Sequence, residues 1–125
     1  MPNLLLVMLG GAIGAGLRYG VSMLAAHRLT AAFPWGTWFA NLAGGFFAGL
    51  LLGLIIARGG GADAARLFLG VGILGGFTTF SAFSAETAFM ILSGQFGMAA
   101  LYAASSLFGA LALLFLGLWL SGAGA

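Results

Sequence analysis

Polar residues are scarce in this chain, so each can be asked in turn what chemistry its type and spacing allow. The first group is the stretch Gly75-Gly76-Phe77-Thr78-Thr79-Phe80-Ser81-Ala82-Phe83-Ser84, set inside an apolar run from about Ala65 to Ser93. Two glycines followed by two β-branched threonines make a poor helix, because glycine gives up the most backbone entropy and threonine is stiff at χ1. In water such a segment is a loop. In a bilayer every exposed backbone N–H and C=O would go unpaired, so non-helical backbone survives only where it lines a cavity or binds something. The stretch is therefore either a site or a glycine kink that aids packing. Beyond it, Phe80 and Phe83 share a helix face with Glu86, and Thr79, Phe83 and Thr87 form the neighbouring row. Rings on such a face serve packing or line a path, and the polar neighbours Thr79, Ser81, Ser84 and Thr87 favour a face turned to something wet.

Three further groups qualify. Asn41 stands on a row with Thr37, Gly45, Gly49 and Gly53, spaced by four, so its amide faces protein on a close-packing stripe. It acts as a cross-helix hydrogen bond or as a functional donor. Tyr102 and Ser106 share one face of the last apolar segment, with Ser105 beside them and Gly109 one turn on. Their hydroxyls bond back to their own helix or point to a partner. Arg18 lies within an apolar segment and must snorkel to an interface or pair inside the protein. Glu86, near the end of its segment, has the same choice of snorkelling outward.

The elements that must position these residues follow from composition. The chain has 125 residues, is 62% hydrophobic and carries four basic and two acidic residues. A soluble domain would carry about 25% charged residues, whereas here the figure is 5% and mean hydropathy is +1.18. An all-α integral membrane protein is expected, one transmembrane domain over residues 1–125. Four spans are predicted, at about residues 4–26, 35–57, 65–93 with a break near 75–79, and 98–120. Trp35 and Trp38 mark an interfacial belt, and Asn41 lies about 9 Å deeper than Trp35. The pairs Gly10 with Gly14 and Gly16 with Gly20 predict close helix approach. Connections are predicted at His27 to Pro34, at Arg58 to Arg66 with Gly59-Gly60-Gly61 and Asp63, and at Gly94 to Gly97.

Composition also excludes. With no cysteine there is no disulfide or thiolate site, and His27 alone makes no metal cluster. A pI near 10.0 reflects scattered arginines, not the clustered basic face of a nucleic-acid binder. No nucleophile–base pair or metal set for an enzyme can be assembled. Met1-Pro2-Asn3 lacks the basic start of a cleavable signal, so the first span is expected to act as the membrane signal itself. With the N-terminus inside, Arg58 and Arg66 oppose Arg28, a bias of two against one that specifies orientation poorly. A chain so undecided can insert both ways and pair with its inverted copy, which predicts a homodimer in antiparallel, dual-topology form.

Three linked motifs resemble one family. Gly10-Gly11-Ala12-Ile13-Gly14-Ala15-Gly16-Leu17-Arg18-Tyr19, then Gly36-Thr37 with Asn41 and Gly44-Gly45-Phe46, then Gly75 through Phe83, resemble the Fluc (CrcB-type) fluoride channels in order and spacing over nearly the whole chain. The resemblance implies a passive, fluoride-selective channel in the inner (plasma) membrane that confers fluoride resistance. It also implies a dual-topology dimer with two pores and a central structural sodium ion, Na+, held by the backbone carbonyls of Gly75 and Thr78 of both subunits. By the same resemblance, Phe80 and Phe83 are pore rings and Asn41 the pore amide. Thr79, Tyr102 and Ser106 belong to a polar track, Arg18 draws anions to a vestibule, and Glu86 sits near one pore end. Ala110 and Ala112 depart from the family's pattern, where hydroxyls continue beyond Ser106, so the track is shortened here.

Two other functions compete. A small dual-topology multidrug exporter has this length but needs a carboxylate in its first span, where this chain has only Arg18. A non-transporting membrane scaffold would account for the glycine stripes but not for the polar break or Asn41.

Overall fold

A computed structural model describes residues 2–28, 33–57 and 63–122. Four helices are long and apolar enough to cross a membrane: Asn3–Arg28, Trp35–Ala57, Arg66–Leu92 and Phe96–Leu120. There is no strand among the described residues. The expected loop residues Arg58 and Gly59-Gly60-Gly61 lie outside the described residues, as does the side chain of Asp63.

We label the helices α1 (Pro2–Arg28), α2 (Trp35–Ala57), α3 (residues 63–77), α4 (Phe80–Leu92) and α5 (Phe96–Leu120). Within α3 the stretch Arg66–Leu74 is wound as a wide π-type helix, flanked by α-helical Asp63–Ala65 and Gly75–Phe77. Together α3 and α4 form the third rod. Two extensive pairings hold the subunit, α1 against α3 and α2 against α5, and α1 also packs on α2.

Small residues set both pairings, because lipid offers no hydrophobic drive between helices and close backbone approach must supply the contact. A Cβ at Gly76 would stand 2.6 Å from the Gly11 carbonyl oxygen, and one at Gly45 would stand 2.6 Å from that of Ala110. The Gly10 and Gly14 pair presses on α3 at Phe68 and Ile73, as its spacing predicts. The Gly16 and Gly20 pair differs: nothing lies within 4 Å of either added Cβ, so this pair makes no close approach inside the subunit.

The third rod is interrupted within the expected stretch 75–79, at its two threonines. Gly75 is helical, at φ −63° and ψ −38°, while Thr78 (φ −88°, ψ 156°) and Thr79 (φ −153°, ψ 128°) are extended. Gly76 packs against α1 while Gly75 lines an open groove, and the threonines interrupt the helix. The hydroxyls finish both ends: Thr78 Oγ1 joins the Thr78 amide in donating to the Leu74 carbonyl, at 2.9 and 3.0 Å, and Thr79 Oγ1 accepts from the Ala82 amide at 3.1 Å, capping α4. The last turn is tighter than predicted. Gly94 adopts φ 78°, the Gln95 amide donates to the Met90 carbonyl at 2.8 Å, and Gly97 already belongs to α5.

The buried core is small and gathers at one end of the subunit. Phe33, Met90, Ala99 and Tyr102 form it, with Trp35, Trp38, Phe83 and Met98 packed around. Most other large apolar side chains point outward, as expected where lipid or a second subunit supplies the surroundings.

Candidate functional site

The interruption at Thr78 and Thr79 meets α2 at Asn41. Asn41 Oδ1 accepts from the Thr79 amide at 3.1 Å, and Asn41 Nδ2 donates to the Thr79 carbonyl at 3.4 Å. One side chain thus pairs with both backbone groups of one extended residue. Because the Thr79 N–H can only donate, the amide oxygen must face it, which fixes the orientation of the whole carboxamide.

These bonds decide which carbonyls are released at the end of α3. In an unbroken helix the Thr79 amide would bond to the Gly75 carbonyl and the Ala82 amide to that of Thr78. Here Asn41 takes the first donor and the Thr79 hydroxyl takes the second. The Gly75 and Thr78 carbonyls have therefore lost their helical partners, while the Gly76 carbonyl accepts from Arg18 Nε at 3.4 Å. Carbonyl oxygens of this kind suit a hard cation, which takes several oxygen ligands at once. Among the described residues no group of three or more His, Cys, Asp or Glu could hold a metal.

An open groove of about 500 Å³ runs beside the interruption. Asn41, Gly75, Thr78, Thr79, Phe80, Phe83 and Ser106 line it, and Ala110, Leu111 and Leu114 continue it as an apolar wall. The sequence separates these residues across three spans, and the fold brings them to one surface. Phe80 is 79% exposed, and its ring centre lies 5.8 Å from that of Phe83. Phe83 in turn lies 5.2 Å from Tyr102, whose ring meets Phe33 edge-on at 5.3 Å. A line of rings therefore leads from the open groove into the core.

The hydroxyls divide between paired and available. Ser106 is buried on the groove, and its Oγ has no hydrogen-bond partner within the chain. Such a group is uncommon in folded proteins and calls for an explanation. Tyr102 is fully buried behind the groove instead of lining it, donates to Glu86 Oε1 at 3.3 Å, and has buried Thr37 as a further hydrogen-bonding neighbour. Thr37 and Glu86 border a second cavity of about 220 Å³ with Ser22, Pro34 and Trp35. Thr87, expected on a wet face, bonds back to the Phe83 carbonyl at 2.8 Å. Arg18 neither snorkels free nor meets a carboxylate: its guanidinium lies against the end of α3.

One contact goes beyond what residue type states: Trp38, an expected interfacial belt residue, donates from Nε1 to Ser105 Oγ at 3.0 Å, and Ser105 Oγ donates to the Tyr102 carbonyl at 3.3 Å. The available signal was its spacing, three residues before Asn41 and so on the same side of α2.

A family model described as CrcB-like protein, Camphor Resistance (CrcB), matches residues 5–118. A protein of Hyphomonas neptunium named fluoride-specific ion channel FluC is 52% identical over 122 residues, covering 97% of this chain and 96% of its own. Proteins of the same name from Thermus thermophilus and Mesorhizobium japonicum are 52% and 49% identical, the first covering 98% of both chains and the second 97% of both.

Proposed function

This chain belongs to the CrcB family, and on that premise we propose that it is one subunit of a passive, fluoride-selective channel. It is a multi-pass membrane protein and a transporter of ions, not an enzyme. Two copies in opposite orientations form the working unit, a dual-topology homodimer of single-domain subunits in the inner (plasma) membrane. Exported fluoride leaves the cytoplasm down its electrochemical gradient, and resistance to fluoride is the result.

The observation that carries this reading is the groove beside Asn41. Fluoride is small and strongly hydrated, so a selective path must replace lost water with fixed donors and still let the ion leave. Asn41 keeps one Nδ2 hydrogen beyond its bond to Thr79, and Ser106 has an unpaired hydroxyl on the same groove. Phe80 and Phe83 add ring edges, which are electropositive and can touch a partly dehydrated anion. Thr79 and Tyr102 extend this polar track, Thr37 and Glu86 border its far end at the smaller cavity, and Arg18 contributes positive potential at a vestibule. Beyond Ser106 the groove is walled by Ala110, so the last hydroxyl step falls one turn early.

Phe80 stands largely exposed on the open groove, the Gly16 and Gly20 pair lies uncovered elsewhere on α1, and a second subunit would cover both kinds of surface. The interruption follows twelve residues of the rod that starts at Arg66 and precedes α4, which runs to Leu92, and that symmetry favours a position near mid-membrane. There the released Gly75 and Thr78 carbonyls, doubled by the inverted partner, would hold a structural Na+. When bound, that ion supplies fixed positive charge between the two halves of the dimer.

Growth rescue tests the proposal. In bacteria stripped of their own fluoride exporter, expression of this chain should restore growth in fluoride medium, and the Phe83→Ile form should not. Equal growth with and without the chain, at matched membrane expression, would overturn it.

A further inference from the structure

We infer that Asn41 is the positioning residue of the helix interruption, holding the Gly75 carbonyl free for a cation while presenting only N–H to the anion groove. The inference rests on the channel reading above and adds a coupling between its two ion sites through one side chain.

The geometry supports both halves. Gly75 can regain its helical hydrogen bond only if the Thr79 amide swings back to it, and that amide is held by Asn41 Oδ1 at 3.1 Å. The second bond, Nδ2 to the Thr79 carbonyl at 3.4 Å, holds Thr79 extended, as pairing with a neighbouring strand would. The Thr79 N–H also sets the sign of what faces the groove. A flipped carboxamide would oppose N–H to N–H at Thr79 and turn its oxygen on the anion. Thr79 therefore keeps Asn41 in its anion-attracting orientation, and Asn41 keeps Thr79 away from Gly75. Neither site is complete without this mutual hold.

Two substitutions separate the functions. Asn41→Asp keeps an acceptor for the Thr79 amide, but it loses the longer bond, sets a carboxylate oxygen against the Thr79 carbonyl and replaces the groove-facing N–H. Asn41→Ala removes the acceptor and releases the Thr79 amide to Gly75. The purified full-length dimer is titrated with sodium, against N-methylglucamine at constant ionic strength, while its thermal stability is followed without fluoride. Fluoride efflux from liposomes is measured in parallel. The expected result is that Asn41→Asp responds at the wild-type sodium concentration or below it, since its acceptor keeps the Thr79 amide from Gly75 and its charge attracts the cation, that Asn41→Ala requires about tenfold more, and that both variants lose fluoride efflux. An Asn41→Ala protein with the wild-type sodium response overturns the inference. So does an Asn41→Asp protein that has lost it, which keeps the test decisive if the alanine form fails to fold. A wild-type protein indifferent to sodium would instead remove the cation from the channel reading itself.

Discussion

Replacing Ser106 with alanine should make the protein more stable and the channel slower. Ser106 is 4% exposed, and its Oγ finds no hydrogen-bond partner in the chain, although it lines the groove beside Asn41 and Phe83. A buried hydroxyl left unpaired costs about 1–3 kcal/mol, and alanine removes the oxygen without leaving a large void. Since the neighbouring Ser105 already donates to the Tyr102 carbonyl, the usual back-bonding site of Ser106 is taken. Thermal or denaturant unfolding of the dimer should therefore show a gain of about 1 kcal/mol for Ser106→Ala, the low end of that range. For the moving anion the hydroxyl is a donor to a charge, worth about 1.5–3 kcal/mol. If that is lost at the rate-limiting point, efflux falls about tenfold to hundredfold, at roughly 1.4 kcal/mol per decade. The assay is fluoride-electrode efflux from liposomes at matched protein density, beside unfolding of the same preparation. A variant that is less stable and conducts normally would refute the reasoning, because the hydroxyl would then be an ordinary structural group.

Other perturbations test separate parts of the account. Phe80→Ile and Phe83→Ile should each abolish most fluoride efflux while leaving the dimer assembled by size-exclusion chromatography, since an aliphatic side chain has no electropositive edge. Gly76→Ala should sharply lower the yield of folded protein, because its Cβ would stand 2.6 Å from the Gly11 carbonyl oxygen, with backbone on both sides of the clash. Trp38→Phe should lower stability by about 1 kcal/mol through the lost bond to Ser105. Its efflux should fall less than that of Phe83→Ile, because it acts on the groove only through Tyr102.

Much of this architecture was legible from residue types. The long apolar runs and the four-residue spacing of Thr37, Asn41, Gly45, Gly49 and Gly53 fix the spans and one packing face, and the structure seats Gly45 against Ala110 and Gly49 against Leu114. The break near residues 75–79 was legible as a stretch but not to the residue. Helix propensity marks both glycines and both threonines, but both glycines stay helical, Gly76 in contact with α1, and the chain is extended only at Thr78 and Thr79. Asn41 was found as a residue but not as a clamp, since its partner is a backbone group 38 positions away. The partner of Trp38 was hidden for a similar reason: an indole N–H bonded to a serine in another helix leaves no local pattern. The depth of Tyr102 behind the groove was equally hidden, because both faces of an apolar helix look alike where lipid and protein are equally apolar.

The most direct test is passive efflux from liposomes containing the purified wild-type protein, with an ionophore clamping voltage and chloride run as the parallel anion. The account predicts rapid fluoride release with negligible chloride release. Fluoride retention by a well-folded, membrane-inserted dimer, or equal release of both anions, would contradict it.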